Sequence, residues 1–164
     1  MCPDDTTVRV PLRAKDGSVR AYALIDATDA DWVNQWRWCL NSNGYAKRRQ
    51  VVDGRQIMVL LHRELLGLIH NDGLEGDHRN RNRLDNRRGN LRVVTRAENR
   101  QNRSSRVVAT SSHRGVYWKA AGQKWAATIT VGGKRFHLGY FTNEDDAHKA
   151  AQEARSRLMP YATD

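Results

Sequence analysis

Cysteine is scarce in this sequence: Cys2 and Cys39 are the only two in 164 residues, and no Cys-x-x-Cys pair exists. That excludes a disulfide scaffold and a cysteine-based zinc cluster. Long apolar runs are missing as well. Nothing approaches the ~18–20 residues of a membrane span, and the N-terminus shows no signal-peptide core. There is no basic amphipathic helix with an aromatic face, so a membrane partner is not expected. Together these absences predict a cytoplasmic, reducing location. Acidic residues are also few, 18 against 28 basic ones, which gives a formal net charge of +10 and a pI near 10.2. Such a surplus points to a polyanionic partner, nucleic acid first. The length suits one domain or two small ones.

The surplus is concentrated. Residues 1–76 hold ten basic and ten acidic residues, a net of 0, and residues 77–106 hold ten Arg against three acids, a net of +7. Residues 107–164 hold eight against five, a net of +3. The central stretch contains spaced apolar residues (Leu84, Leu91, Val93, Val94) and many Asn. That composition suits a folded loop stabilised by Asx turns better than a solvated tail. Arg in place of Lys fits bidentate contact with phosphate.

Alternating apolar positions predict strands over 8–12 and 19–25, a short helix over 26–36 capped near Thr28 or Asp29, and a strand through Trp36, Trp38 and Leu40. A hairpin turn over 41–44 leads into a strand over 45–52. Residues 57–67 read as a strand running into a short helix that carries His62 and Arg63 and ends at Gly67. Leu74–His78 is a short strand and 90–94 an apolar patch. Thr95-Arg-Ala-Glu98 is a capping box opening a helix to about Asn102. A polar linker follows.

The last fifty residues predict three strands, over 115–119, Lys124–Val131 and Lys134–Phe141, and a helix over 142–159 with Thr142 and Asp145 as its capping box. Ala147, Ala150, Ala151, Ala154 and Leu158 share one helical face. Trp125, Ala127, Ile129 and Val131, with Phe136, Leu138 and Tyr140, form the sheet face that this helix covers. Lys124, Thr128, Thr130, Arg135 and His137 lie on the opposite face, which is polar, basic and open.

Hydrolysis of a phosphodiester needs a base to deprotonate water and a cation to neutralise the phosphate and the leaving oxygen. A neutral imidazole at a strand end can be the base if a partner fixes its tautomer. A hard divalent ion takes oxygen ligands such as a carboxylate and an Asn carbonyl. Adjacent strand residues point to opposite sides, so Asp77 and His78 can hold different roles at one strand end.

Glu75-Gly-Asp-His78, Leu84-Asp-Asn-Arg-Arg-Gly-Asn-Leu-Arg92 and Thr95-Arg-Ala-Glu-Asn99-Arg-Gln-Asn102 together resemble the core of HNH endonucleases. They are most similar to the phage and intron-encoded homing nucleases whose third motif residue is Asn. The resemblance implies an α+β fold: a ββα-metal (His-Me finger) core over 61–103 behind a β-rich lead-in over 1–60. It makes His78 the general base, Asp77 a metal ligand, Asn90 the residue orienting the His78 ring, and Asn99 the residue completing a site for one Mg2+ or Mn2+ ion. The gaps of twelve residues from His78 to Asn90 and nine from Asn90 to Asn99 match that subgroup. Asn86 competes for the orienting role, with Asn90 preferred on spacing. Arg79, Arg81, Arg83, Arg87 and Arg88 would contact DNA. Asp26 to Trp38, Gly44-Tyr45 and Leu61-His-Arg63 resemble the lead-in of such proteins, and His62 and His70 are read as structural.

His113-Arg-Gly-Val-Tyr-Trp118, Trp125-Ala-Ala-Thr-Ile129 and the run from His137-Leu-Gly-Tyr-Phe to Ala147 resemble the Apetala/ethylene-response-factor DNA-binding domain. This implies a module over 113–160, joined by a linker over 104–112, whose three-stranded sheet enters the major groove. Arg114, Tyr117, Lys119, Thr128, Thr130, Arg135 and His137 occupy the matching reading positions. Tyr117, Thr128 and Thr130 stand where the plant domains have charged residues.

The function expected is therefore a metal-dependent DNA endonuclease that nicks by default, acting as a monomer or a DNA-assembled dimer on double-stranded DNA without a small-molecule cofactor. If phage-encoded, it would act in the cytoplasm of a bacterial host. The alternative is a non-catalytic DNA-binding regulator with a degenerate HNH unit.

Overall fold

The computed structural model describes residues 7–69, 72–102 and 110–162. Cys2, His70 and all of the expected linker except 110–112 lie outside the described residues. The architecture is mixed α+β with several small antiparallel sheets, and the chain divides into two compact units, 1–96 and 97–164. No helix among the described residues is long and apolar enough to cross a membrane.

In the first unit, β1 (Thr7–Arg13) pairs with β2 (Val19–Asp26), and alternate residues Val10, Leu12, Ala23 and Ile25 turn into the core. The expected helix over 26–36 contracts to a 3-10 turn and α1 (Ala30–Val33), with no side-chain cap. The reason lies in Trp38. Its buried indole N–H needs an acceptor and finds the Val33 carbonyl at 2.9 Å, which folds residues 34–38 back. Consequently β3 (Cys39–Leu40) begins later than the Trp36 alternation predicted. It pairs with β4 (Ala46–Val52), which pairs with β5 (Arg55–Leu60); α2 (Leu61–Leu65) follows and seals the core with Leu61 and Leu65. β6 (Leu74–His78) pairs with β7 (Leu91–Thr95); α3 (Arg96–Gln101) follows β7 in the chain and, except for Arg96, belongs to the second unit.

In the second unit, β8 (Val116–Lys119), β9 (Lys124–Val131) and β10 (Lys134–Phe141) form a sheet in the order β10-β9-β8. α4 (Glu144–Leu158) lays Ala147 and Ala151 on Val116 and Ala127, all nearly or fully buried. Small side chains allow that close approach. Three expectations change here. The helix cap is Asn143, whose Oδ1 accepts the Asp146 N–H at 2.8 Å, not Thr142. The last buried turn of α4 holds Arg155, while Leu158 is 52% exposed. Arg155 spans the end of the sheet and donates to the Arg114 carbonyl at 2.7 Å. Finally, a bulge at Leu138 shifts the β9–β10 register between His137 and Gly139. The bulge moves Tyr140 out of the apolar face and puts it in register with Ala126 on the opposite one.

Candidate functional site

The β6–β7 register sets His78 opposite Leu91 and Asp77 opposite Arg92, at the strand end where residues 79–90 leave the hairpin. This loop is ordered by its own asparagines. Asn80 Oδ1 accepts the Asn82 N–H and Asn82 Oδ1 accepts the Leu84 N–H, at 2.9 and 3.1 Å. These are the Asx turns that the composition predicts. The loop is also docked on β2: the Leu24 N–H donates to the Leu84 carbonyl and the Asn86 N–H to the Leu24 carbonyl, at 2.7 and 2.8 Å.

His78 is 4% exposed, and its Nε2 lies 3.3 Å from Asn86 Oδ1. The Asn86 amide is itself oriented, because its Nδ2 donates to the Leu84 carbonyl at 3.0 Å. Oδ1 is an acceptor only, so His78 carries its proton on Nε2 and its lone pair on Nδ1. Asn90, expected to orient this ring, does not touch it. Its side chain is consumed within the loop: Oδ1 accepts the Asn80 N–H at 3.0 Å and Nδ2 donates to the Asp85 carbonyl at 2.7 Å. Its main-chain carbonyl takes the Arg79 N–H at 2.9 Å. Asn90 thus fixes the backbone leaving His78, and Asn86 fixes the ring.

Burial holds His78 below its ordinary pKa, against the opposing influence of Asn86, Asp77 and Asp85. A second imidazole packs on it. His62 of α2 is 4% exposed, with ring centroids 4.9 Å from His78 and 5.1 Å from Tyr45. Its buried Nδ1 has no hydrogen-bond partner among the described residues. Burial, then the charges of His78 and Arg63, push His62 down to about 3, so both rings are neutral at pH 7. Gly76 makes this packing possible, since a Cβ there would stand 2.7 Å from His62 Cδ2. The sequence motif Leu61-His-Arg63 marked His62, but only the fold brings it to His78.

Asp77 is buried and bound by Arg92, with Nη2 and Nε at 2.6 and 2.8 Å from Oδ2. Asn99 sits on α3, half-buried. By type, a carboxylate and an amide oxygen are each ligands that a hard divalent ion accepts, with phosphate and water as the others. Among the described residues no three His, Cys, Asp or Glu side chains converge.

The loop arginines divide by partner. Arg87 forms two bonds of 2.8 Å to Asp85, whose carboxyl is thereby held below the usual range. Arg88 reaches Asp29 at 2.6 Å and the Leu65 carbonyl at 3.2 Å, and the Asp29 carboxylate raises its pKa further. These two, expected at DNA, tie the loop together and to the lead-in. Arg83 lies over the Tyr45 ring at 5.0 Å and donates to the Asn43 carbonyl at 2.6 Å. Arg79 and Arg81 are exposed, the latter in a left-handed turn at φ 62.

On the second unit's sheet, register places Tyr117, Lys119, Thr130, Arg135 and His137 on the face opposite α4. Lys119 Nζ donates to Tyr140 Oη at 2.8 Å, which raises the lysine pKa, and the His137 and Tyr140 rings lie 4.4 Å apart. Tyr140, 49% exposed, therefore joins this face, an addition only the bulge explains. Thr128 is the exception among the expected residues: it is 7% exposed, and its Oγ1 donates to the Gly115 carbonyl at 3.4 Å. Gly115, at φ +82, is so close to β9 that a Cβ would meet the Thr128 carbonyl oxygen at 2.2 Å. Arg114 is half-buried and donates to the Gln101 carbonyl at 2.7 Å.

Comparison with protein families gives two matches. Residues 64–101 match the HNH endonuclease family model, and residues 111–159 match the AP2 domain model. No curated protein and no solved structure matches the chain. The chain thus carries an HNH endonuclease domain followed by an AP2 DNA-binding domain, a combination that suggests a DNA-binding nuclease.

Proposed function

We propose that the chain is a metal-dependent DNA endonuclease of the homing type, with a catalytic domain over 1–103, a linker over 104–112 and a reading module over 113–160. On this reading β6, β7 and α3 are the ββα-metal core. The observation that carries it is the placement of His78: a buried imidazole at a strand end, its Nε2 3.3 Å from Asn86 Oδ1, beside the buried Asp77 carboxylate. Its Nδ1 takes the proton of the attacking water. Asn86 keeps the ring in the tautomer that leaves Nδ1 basic, and Asn90 holds the strand exit so that the ring does not swing. Neutral His62 supplies a packed wall against the ring.

Asp77 and Asn99 are the residues that would hold a divalent ion, through a carboxylate and an amide oxygen. When bound, that ion neutralises charge on the phosphate and the leaving 3′-oxygen. Arg92 fixes the Asp77 carboxylate in place. Arg79 and Arg81 contact phosphates, which position without reading sequence, and the face bearing Tyr117, Lys119, Thr130, Arg135 and His137 reads base edges. One such centre cuts one strand per encounter, so a nick is the product.

The test is conversion of supercoiled plasmid to open circle with Mg2+ or Mn2+, with EDTA, and with His78→Ala. Removal of a general base lowers the rate by about 10²–10⁴-fold with binding retained. Nicking by His78→Ala at the native rate overturns the assignment. The ion pair between Asp77 and Arg92 favours one other reading, a DNA-binding regulator whose HNH unit is degenerate. Sequence-selective binding with no nicking in either metal selects it.

A further inference from the structure

The charge-balanced segment 1–76 does not present a balanced surface. Several of its acids are engaged away from the other cations: Asp26 accepts the Arg88 N–H, Asp29 pairs with Arg88, Glu64 with Arg48 and Asp72 with Arg63, while Asp16 Oδ1 accepts from Ser18. Arg13, Lys15, Arg37, Lys47 and Arg49 form no ion pair among the described residues. All five line one groove of about 620 Å3, and no carboxylate lines it. Two of the guanidiniums are fixed without being neutralised: Arg37 Nη2 donates to the Ala14 carbonyl at 2.7 Å and Arg13 Nη1 to the Gly17 carbonyl at 3.2 Å.

The groove also has an aromatic wall. Trp36 is 42% exposed, and the Arg48 guanidinium covers one face of its indole at 4.1 Å from the ring centroid. Arg48 is itself 3% exposed and bound to Glu64, so the ring is backed by a buried, ion-paired group. A second hollow of about 460 Å3 shares Arg13, Trp36 and Arg37, which leaves Trp36 as the partition between two cationic recesses.

Unpaired cations suit phosphates, and an exposed indole suits a planar ring. One polymer supplies both together: nucleic acid whose bases are out of the helical stack. A duplex satisfies the cations but keeps its bases away from Trp36. We propose that this groove binds single-stranded nucleic acid, with a base stacked on Trp36 and backbone phosphates on Lys15, Lys47 and Arg49. His78 does not line this groove and the binding needs no metal, so the proposal goes beyond the nuclease reading and does not depend on it.

The experiment uses the full chain in EDTA with fluorescein-labelled dT12, read by anisotropy across a salt series. Trp36→Ala weakens binding about tenfold, within the range known for one stacked base, and Trp36→Phe keeps most of the affinity. Lys47→Gln with Arg49→Gln lowers the slope of log affinity against log salt by about 1.4, two contacts at ~0.7 each on a single strand. The sheet of the second unit is also basic, so the contact is located directly. A dT12 carrying one 5-iodouracil is photocrosslinked, and the adduct is expected on the Trp36 peptide. Circular dichroism establishes that each variant is folded; if Trp36→Ala is not, the crosslink and the double Gln variant decide. Unchanged affinity in folded Trp36→Ala, an unchanged salt slope, an adduct confined to residues 116–141, or equal competition by a 12-base-pair duplex overturns the proposal. Because EDTA suppresses cleavage, these outcomes are separate from the success or failure of the plasmid assay.

Discussion

Residues 77–106 carry seven more positive than negative charges, yet Arg87, Arg88 and Arg92 are bound to Asp85, Asp29 and Asp77. Residues 1–76 carry equal numbers, yet five of their cations stand unpaired around one groove. The two regions differ in where their acids point. The lead-in sends Asp26 and Asp29 across to the arginine loop, which ties the loop down and takes two carboxylates away from the lead-in's own cations. Net charge per segment counts residues, whereas a polyanion meets only the charges that tertiary pairing leaves over.

The comparison predicts that loop arginines fall into structural and surface classes. Arg88→Met, which leaves Asp29 buried without its partner, costs about 2 kcal/mol by chemical denaturation. A loss below about 0.5 kcal/mol would mean that the loop is not held by the lead-in. Acid acts on the same framework. His62 is depressed to about 3 from an ordinary value of 6.5, so the unfolded chain binds its proton first. Its contribution is fully present above pH 6.5 and is lost as pH falls from 6.5 toward 3, reaching about 1–2 kcal/mol at pH 5. His62→Phe, matched to the ring contacts, flattens that part of the stability curve; an unchanged acid limb in the variant contradicts the assignment.

Smaller effects separate surface from support. Arg81→Met leaves stability within about 0.5 kcal/mol but lowers the salt slope of duplex binding by ~0.9, the signature of one phosphate contact. Arg88→Met is expected to show the reverse balance of the two measurements. On the sheet, Arg135→Ala reduces discrimination between target and random duplexes, while Thr128→Val changes neither discrimination nor salt slope. If Thr128→Val alters discrimination, its buried hydroxyl has a reading role after all.

Much of the site was legible because its signals are local. Asn80 and Asn82 make Asx turns with neighbours two residues on, and Leu74–His78 is a strand bounded by turn residues. Alternation alone put Arg135 and His137 on one face of the sheet, and the family resemblance added Tyr117 and Lys119, which the register places on the same face. What failed was decided by contacts distant in sequence or by a single irregularity. Asn86 and Asn90 are alike in type and both near His78, and spacing favoured Asn90. The docking of the loop on Leu24 aims Asn86 at the ring and turns Asn90 into the loop. Arg92 was visible in principle, since a hairpin pairing His78 with Leu91 must pair Asp77 with Arg92. Tyr140 changed faces because one extra residue at Leu138 inverts the period-two pattern beyond it.

The sequence by itself determined two basic, cysteine-poor modules, the strand ending in Asp77 and His78, the asparagine-built loop and an open sheet face, because each follows from periodicity or short-range hydrogen bonding. Tertiary structure alone decided which asparagine holds the imidazole, that His62 packs on it over Gly76, and which arginines keep an unneutralised charge. Those outcomes depend on partners distant in the chain, 59 residues for Asp29 and Arg88 and 16 for Glu64 and Arg48, and pairing at that distance is set by how the elements dock rather than by any pattern along the chain.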